Sequence, residues 1–374
     1  MATPAYHPIK GGTETVVRNL STWLNEAKVE TDVLTFNMNR KWHPAWNGKV
    51  EKMDGIKVFK IPALNWFPAA HSNRVTLGIN LVPGRFTNLF KHYDIVHFHE
   101  ADLSFPLFSS LARKPKIFHL HGFDRNFLKR YALSRFILKH VAELHICLTE
   151  SMKRDLVGLG FNGDRIRVLP NAVDIDYFSP SGPREDNLVL FVGRISYIKG
   201  VHVLMESLSH LRDPIHLVII GPPDWDHKYV ESMKKLIDKE NKKGKHRITY
   251  LDGQDQSTLL GWYRKATIFV LPSLIEAFGV TLLEALSCGT PVVASNVGGI
   301  PEIIHDNEDG VIIPPNKSTE LAHAIQRLLD DKKTRSFLGQ NGREKVTKNF
   351  SKKTTIRKLL KIYDEMINVP RIGI

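Results

Sequence analysis

Two glutamates eight residues apart, in SLIEAFGVTLLEALSCGTPVVASNVGGIPEII (273–304), form the densest group of chemically useful side chains in the chain. Glu276 falls in a loop beyond an apolar run, and Glu284 falls inside the helix that opens after Phe278 and Gly279. Eight residues span a little more than two helical turns. A carboxylate in such a loop can accept hydrogen bonds from sugar hydroxyls, and one further down the helix can hold a ribose diol. The helix start between them offers free backbone N–H groups and a dipole that favours phosphate. Taken singly, each glutamate reads as solvated or helix-capping. With Gly279, Gly298 and Gly299 gathered at the same strand end, the block reads as a binding site.

Cations come from FVGRISYIKG (191–200), where an apolar run ends at Val192–Gly193 and Arg194 and Lys199 precede a helix near Gly200. Two cations beside a helix start suit a diphosphate, whose departure requires its growing charge to be neutralised. HPIKGGTETVVRNL (7–20) leads from Gly11–Gly12 into an amphipathic helix carrying Val16, Val17 and Leu20 on one face. Glycines there admit close approach of a ligand to the backbone, although taken alone a plain turn is the preferred reading. In KIFHLHGFD (116–124), His119 and His121 share one face of a strand. His121 sits at the carboxyl end, where ligands of such sheets gather, and His119 reads as a packed or supporting partner. His97 and His99 repeat the spacing in DIVHFHEAD, with Glu100 and Asp102 following. No HExxH or CxxC spacing accompanies these four histidines, so no metal site is expected.

The elements that must position these groups alternate between strand-like and helix-like segments, the pattern of parallel sheets covered by helices. Segments 31–36, 57–61, 95–99, 116–121 and 144–148 read as strands, and 13–27 and 124–141 as helices. Beyond the middle, 187–192, 216–220, 248–251, 268–271 and 291–294 read as strands. Several are apolar throughout, as strands buried on both faces must be. Pro, Gly, Asp and Ser collect at 172–186, which marks a seam. The expected organisation is an N-terminal domain at 1–175 and a C-terminal domain beginning at 176. Only MATPAYHPIK precedes Gly11, so the first sheet is expected to lack its opening strand.

The chain has 374 residues and a formal charge of +13. Up to residue 175 there are 24 Lys and Arg against 15 Asp and Glu; beyond it there are 28 against 24. A basic first half suits phosphorylated ligands or an anionic surface, or is simply a solvated face. Segment 125–140 is basic on one side and apolar on the other, and 64–70 carries aromatic residues. Contact with an anionic membrane is one reading of them, and packing of the apolar stripe onto the protein's own sheet is the preferred one. No apolar run is long enough to span a bilayer and no secretory leader is apparent. Two cysteines in buried-looking segments argue for a reducing compartment, the cytoplasm. Neither an RNA-reading motif nor an aromatic platform supports a nucleic-acid partner.

These blocks, in this order, resemble glycosyltransferase family 4, the retaining GT-B enzymes also described as glycosyl transferases group 1. HPIKGGTE, LHGF, LPNAVD, VGRISYIKG, the Glu276–Glu284 pair and GGIPE carry the likeness across nearly the whole chain. It implies an α/β fold of two Rossmann-like domains whose parallel sheets face across a cleft: an N-terminal acceptor-binding domain at 1–175, a C-terminal nucleotide-sugar-binding domain at 176–353 and a helix at 354–374 crossing back to the first. It further implies a hexosyltransferase that moves a sugar from a nucleotide-diphosphate donor to a glycan, lipid-linked or small-molecule acceptor, without a metal or other cofactor. By the same resemblance Arg194 and Lys199 hold the diphosphate, Glu276 the transferred sugar and Glu284 the ribose. Gly193, Ala277, Phe278, Gly279 and Val280 surround the donor, Gly11 and Gly12 approach the diphosphate, His121 lies near the reacting carbon, and Asn171 occupies the hinge. An epimerase or phosphorylase on the same architecture is the rival expectation.

Overall fold

A computed structural model describes residues 1–6, 11–37, 48–61, 87–99, 114–122, 128–129 and 132–368. The chain forms two compact units, Met1–Pro170 with Thr355–Ile374, and Asn171–Thr354. The sequence boundaries at 175 and 353 differ from these by a few residues, because Asn171–Val173 pairs within the second unit, where Val173 bridges Ser351.

The strands of the first unit are β1 (Ala2–Thr3), β2 (Val33–Phe36), β3 (Lys49–Met53), β4 (Ile56–Ile61), β5 (Val96–His99), β6 (Lys116–Leu120), β7 (Leu144–Cys147) and β8 (Ile166–Val168). They lie in the order β3-β4-β2-β1-β5-β6-β7-β8. The expectation of a missing first strand is corrected here. Ala2 and Thr3 pair in parallel with Leu34 and Thr35, and Ala2 also faces Phe98. Two residues suffice because both are buried at the sheet centre, and Pro4, which has no N–H, ends the run. The sheet is also not wholly parallel. β3 pairs antiparallel with β4 at the edge, joined by Asp54–Gly55, both with positive φ as a tight hairpin requires. β3 alternates exposed and half-buried residues, as an edge strand in water can.

The second unit contains β9 (Leu188–Val192), β10 (His216–Ile220), β11 (Arg247–Leu251), β12 (Ile268–Leu271), β13 (Val292–Ser295) and β14 (Val311–Ile313). All are parallel, in the order β11-β10-β9-β12-β13-β14. β9, β12 and β13 are buried from end to end. The chain leaves β9 toward β10 and leaves β12 toward β13, in opposite directions. That divergence opens a crevice above the adjacent carboxyl ends of β9 and β12, the place where open parallel sheets bind ligands.

Two helices flanking this place, Gln256–Lys265 and Val280–Ser287, are tied at their C-termini by Arg184. Its guanidinium donates to Ala266 O at 2.7 Å, Cys288 O at 3.1 Å and Thr290 Oγ1 at 2.8 Å. A cation at two helix ends satisfies carbonyls that lack intrahelical partners. Replacing Arg184 with Met keeps the aliphatic stem and unpairs these acceptors. It should lower stability by about 1–3 kcal/mol, read as a lower urea midpoint; an unmoved midpoint would show that the carbonyls find other partners.

Candidate functional site

Each motif of the second unit sits where a strand end becomes a loop. Gly193 follows β9 and donates to Ile220 O at 2.9 Å. Arg194 comes next, 3.9 Å from the Asp224 carboxylate beyond β10. Lys199 closes the short turn Tyr197–Lys199 and reaches Glu276 Oε2 at 2.6 Å. Ser273 Oγ donates to the same oxygen at 3.2 Å. Lys199 and Glu276 are thus brought together across 77 residues of sequence.

Backbone lacing holds the two loops in register. Leu274 and Ile275 both donate to Ile198 O, at 2.8 and 3.2 Å. Gly200 lies against the Pro272 carbonyl and Gly298 against that of Glu276, and at either a methyl group would overlap the carbonyl oxygen. Both glycines also have positive φ, which a side chain would strain. The GG of GGIPE therefore works as a backing plate for the Glu276 loop.

Gly279, in the left-handed region at φ 101°, turns the chain into the helix Val280–Ser287. Val280 is its first residue, so its N–H is among those without an intrahelical partner. Ala277 is half-buried. Phe278 is buried, its ring edge-on to Phe350 at 6.0 Å between centroids, and so anchors the loop. Glu284 is buried inside the helix and accepts from Tyr263 Oη at 2.7 Å. Burial raises its carboxyl to about 7, and the Tyr263 hydroxyl opposes that rise by stabilising the anion. Tyr263 was not singled out from the sequence. Its signal was faint: it is one of two adjacent aromatics, Trp262 and Tyr263, in helix Gln256–Lys265, with nothing in its spacing to link it to Glu284.

The remaining expected residues belong elsewhere. Gly11 is the N-cap of helix Gly12–Glu26, Gly12 is its first residue, and both lie in the first unit. Asn171 is buried at the start of the second unit. His121 follows β6 in the first unit, and burial pushes its imidazole down to about 3. Its Nε2 lies 2.9 Å from His99 Nδ1, and its ring stacks on His119 at 4.3 Å. His97 Nδ1 lies 2.7 Å from the hydroxyl of Tyr363. β5 and β6 align His99 with His119, so spacing by two on adjacent parallel strands brings four imidazoles to one face. Glu100, Asp102 and segment 64–70 lie outside the described residues, as does part of 125–140. Of that segment, Phe136 is exposed and Leu138 buried. Both cysteines are free and buried, and no helix among the described residues is long and apolar enough to cross a membrane.

Comparison with known proteins bears on this arrangement. The family model described as glycosyl transferases group 1 matches residues 174–345, and that described as glycosyltransferase family 4 matches residues 10–177. The chain belongs to the group 1 glycosyltransferases. An uncharacterised glycosyltransferase of Methanocaldococcus jannaschii is 24% identical, over 97% of each chain. A D-inositol 3-phosphate glycosyltransferase of Corynebacterium glutamicum is 31% identical over 54% of this chain and 52% of its own. Among solved structures, Anabaena HepE in complex with UDP and glucose superposes with a TM-score of 0.79, at 17% identity over 97% of this chain and 99% of its own. The glycosyltransferase thus has the GT-B architecture of two α/β domains, with an antiparallel edge strand added to the first sheet.

The buried carboxyl of Glu284 makes a testable contribution to stability. The folded chain holds this proton to about pH 7, while an unfolded glutamate releases it near 4.5. Stability from the group is therefore intact below pH 4.5 and is lost as the pH rises through 7, by on the order of 3 kcal/mol. Glu284→Gln has no such proton to lose. Between pH 5 and pH 8 the stability gap, measured by urea melts, should shift in the variant's favour; an equal gap at both pH values would refute the assignment.

Proposed function

We propose that this glycosyltransferase moves a hexose-type sugar from a nucleotide-diphosphate donor to a glycan, lipid-linked or small-molecule acceptor, with retention of anomeric configuration. The observation that carries the reading is the Lys199–Glu276 contact at the ends of β9 and β12, with the start of the Glu284 helix beside it. Lys199 and Arg194 are assigned to the donor diphosphate, and Gly193 and the N–H groups of Ala277, Phe278, Gly279 and Val280 line its path. Glu276 is assigned to the hydroxyls of the transferred sugar. Tyr263 engages Glu284 Oε2, and Oε1 is the oxygen assigned to the ribose diol.

In this reading the ion pair is the resting state of the site. An arriving diphosphate takes Lys199, and Glu276 is released to the sugar. The cations then meet the charge that develops on the leaving phosphate, the electrostatic stabilisation most valuable in the transition state, and turnover requires no added metal. His121 is assigned to the reacting carbon, Gly11 and Gly12 to the diphosphate, and Asn171 to the hinge. That the relative HepE is solved with UDP and glucose supports a nucleotide sugar as donor.

A thermal-shift panel of UDP, GDP and ADP sugars tests the donor, since a ligand that binds only the folded state raises the melting temperature by mass action. One base series should stand out, and NMR of the product formed with it should show the donor's anomeric configuration; an inverted product would end the retaining assignment. Lys199→Ala should lower turnover by a factor on the order of 100, about 3 kcal/mol on the barrier. Near-normal turnover would remove Lys199 from the mechanism.

A further inference from the structure

We propose that His99 is the positioning residue of His121: one hydrogen bond from His99 holds that ring and sets its proton on Nδ1, so that His121 meets the sugar as a hydrogen-bond donor. The inference rests on the assignment of His121 to the reacting carbon.

The geometry of the pair carries it. His99 Nδ1 and His121 Nε2 lie 2.9 Å apart, the ring planes differ by 16° and the centroids are 5.2 Å apart. A ring nitrogen sits about 1.2 Å from its own centroid, so a straight N–H···N bond of this length in a common plane puts the centroids about 5.3 Å apart. The two rings therefore meet edge to edge along the lone-pair direction. A stacked imidazole braces each of them against turning out of that plane. His97 lies over His99 and His119 over His121, each with centroids 4.3 Å apart. His97 is held in turn at Nδ1 by the hydroxyl of Tyr363.

A neutral imidazole has one N–H and one lone pair, so the bond admits two arrangements. Desolvation lowers the pKa of both rings, that of His121 to about 3, so both stay neutral. If His121 donates, the proton of His99 is left on Nε2, which is buried without a hydrogen-bond partner among the described residues. If His99 donates, its Nε2 carries only a lone pair, and the remaining N–H is that of His121 Nδ1. Orphaned buried N–H groups are rarer than under-used acceptors. His99 is buried, whereas His121 is half-buried past the carboxyl end of β6, where ligands of such sheets gather. The second arrangement thus leaves the unpaired N–H on the ring nearer to a ligand. A donor fixed beforehand needs no reorganisation while charge shifts during transfer.

The test compares His99→Leu, which removes the bond, with His99→Asn, whose side-chain N–H takes the place of Nδ1. Activity is read as hydrolysis of the nucleotide sugar that the thermal-shift panel selects, with water as acceptor. His99→Leu should lower kcat by a factor on the order of 10, with the donor KM within about twofold. His99→Asn should recover most of that loss. In a His121→Ala background, His99→Leu should cost nothing further, because residues that act as a unit are not additive. The nitrogen-15 spectrum of histidine-labelled full-length protein should show His121, assigned by its absence from His121→Ala, protonated on Nδ1. A folded His99→Leu variant with normal kcat beside an impaired His121→Ala overturns the inference. So does an additive double variant, or a proton found on His121 Nε2. Normal turnover by His121→Ala would instead end the role given to His121. In that case, or if His99→Leu does not fold, the spectrum alone decides where the proton sits.

Discussion

The arrangement of the second unit depends on one topological constraint: β9 and β12 are neighbours whose chains depart to opposite sides. No loop can cover the gap between two connections that diverge. Everything chemically notable in that unit is anchored there. Gly193 and Arg194 follow β9, Ser273 and Glu276 follow β12, and the turn carrying Lys199 is laced to the β12 loop through the Ile198 carbonyl. The apolar strands below supply rigidity. Val189, Leu190 and Phe191 are completely buried, as are Ile268, Phe269 and Val270, so the loops rise from a base that has no room to shift.

Above this base the two acids are held in opposite ways. Glu276 has a charged partner in Lys199 and a hydroxyl in Ser273, both meeting the same half-buried oxygen. Glu284 accepts from one neutral hydroxyl, that of Tyr263, and it sits buried within its helix. The first arrangement suits a carboxylate that exchanges partners when an anionic ligand takes over its cation, so that neither charge is left unpaired. The second favours a carboxylate fixed in orientation, with Tyr263 holding one oxygen. Arg184 reinforces that fixity by binding together the ends of the two helices that carry the pair.

Much of this was legible in the sequence because fully buried strands betray themselves by unbroken apolar runs. The expected segments 216–220 and 268–271 coincide with β10 and β12. The same rule hid β1, which is only two residues long, and β3, whose KVEKM has no apolar face. β3 did carry a signal in its Asp54–Gly55 turn, a dipeptide suited to two successive positive φ values. In the site, the motif glycines and acids announced themselves by spacing, whereas Tyr263 and Tyr363 did not. Each reaches its partner only through the tertiary fold, across 21 and 266 residues. The four histidines were visible as two pairs, but linear spacing cannot reveal that parallel register stacks one pair upon the other.

The grouping of Thr355 onward with Met1–Pro170 has a consequence for how the chain matures. Tyr363, the partner of His97, is made 193 residues after the first segment of its unit ends at Pro170. At synthesis rates of roughly 5–20 residues per second, that delay is on the order of 10–40 s. The continuous segment of the second unit, Asn171–Thr354, is made within that interval. The first domain to begin leaving the ribosome is therefore the last to be finished, and during the interval its imidazole cluster waits without the tyrosine that orients it.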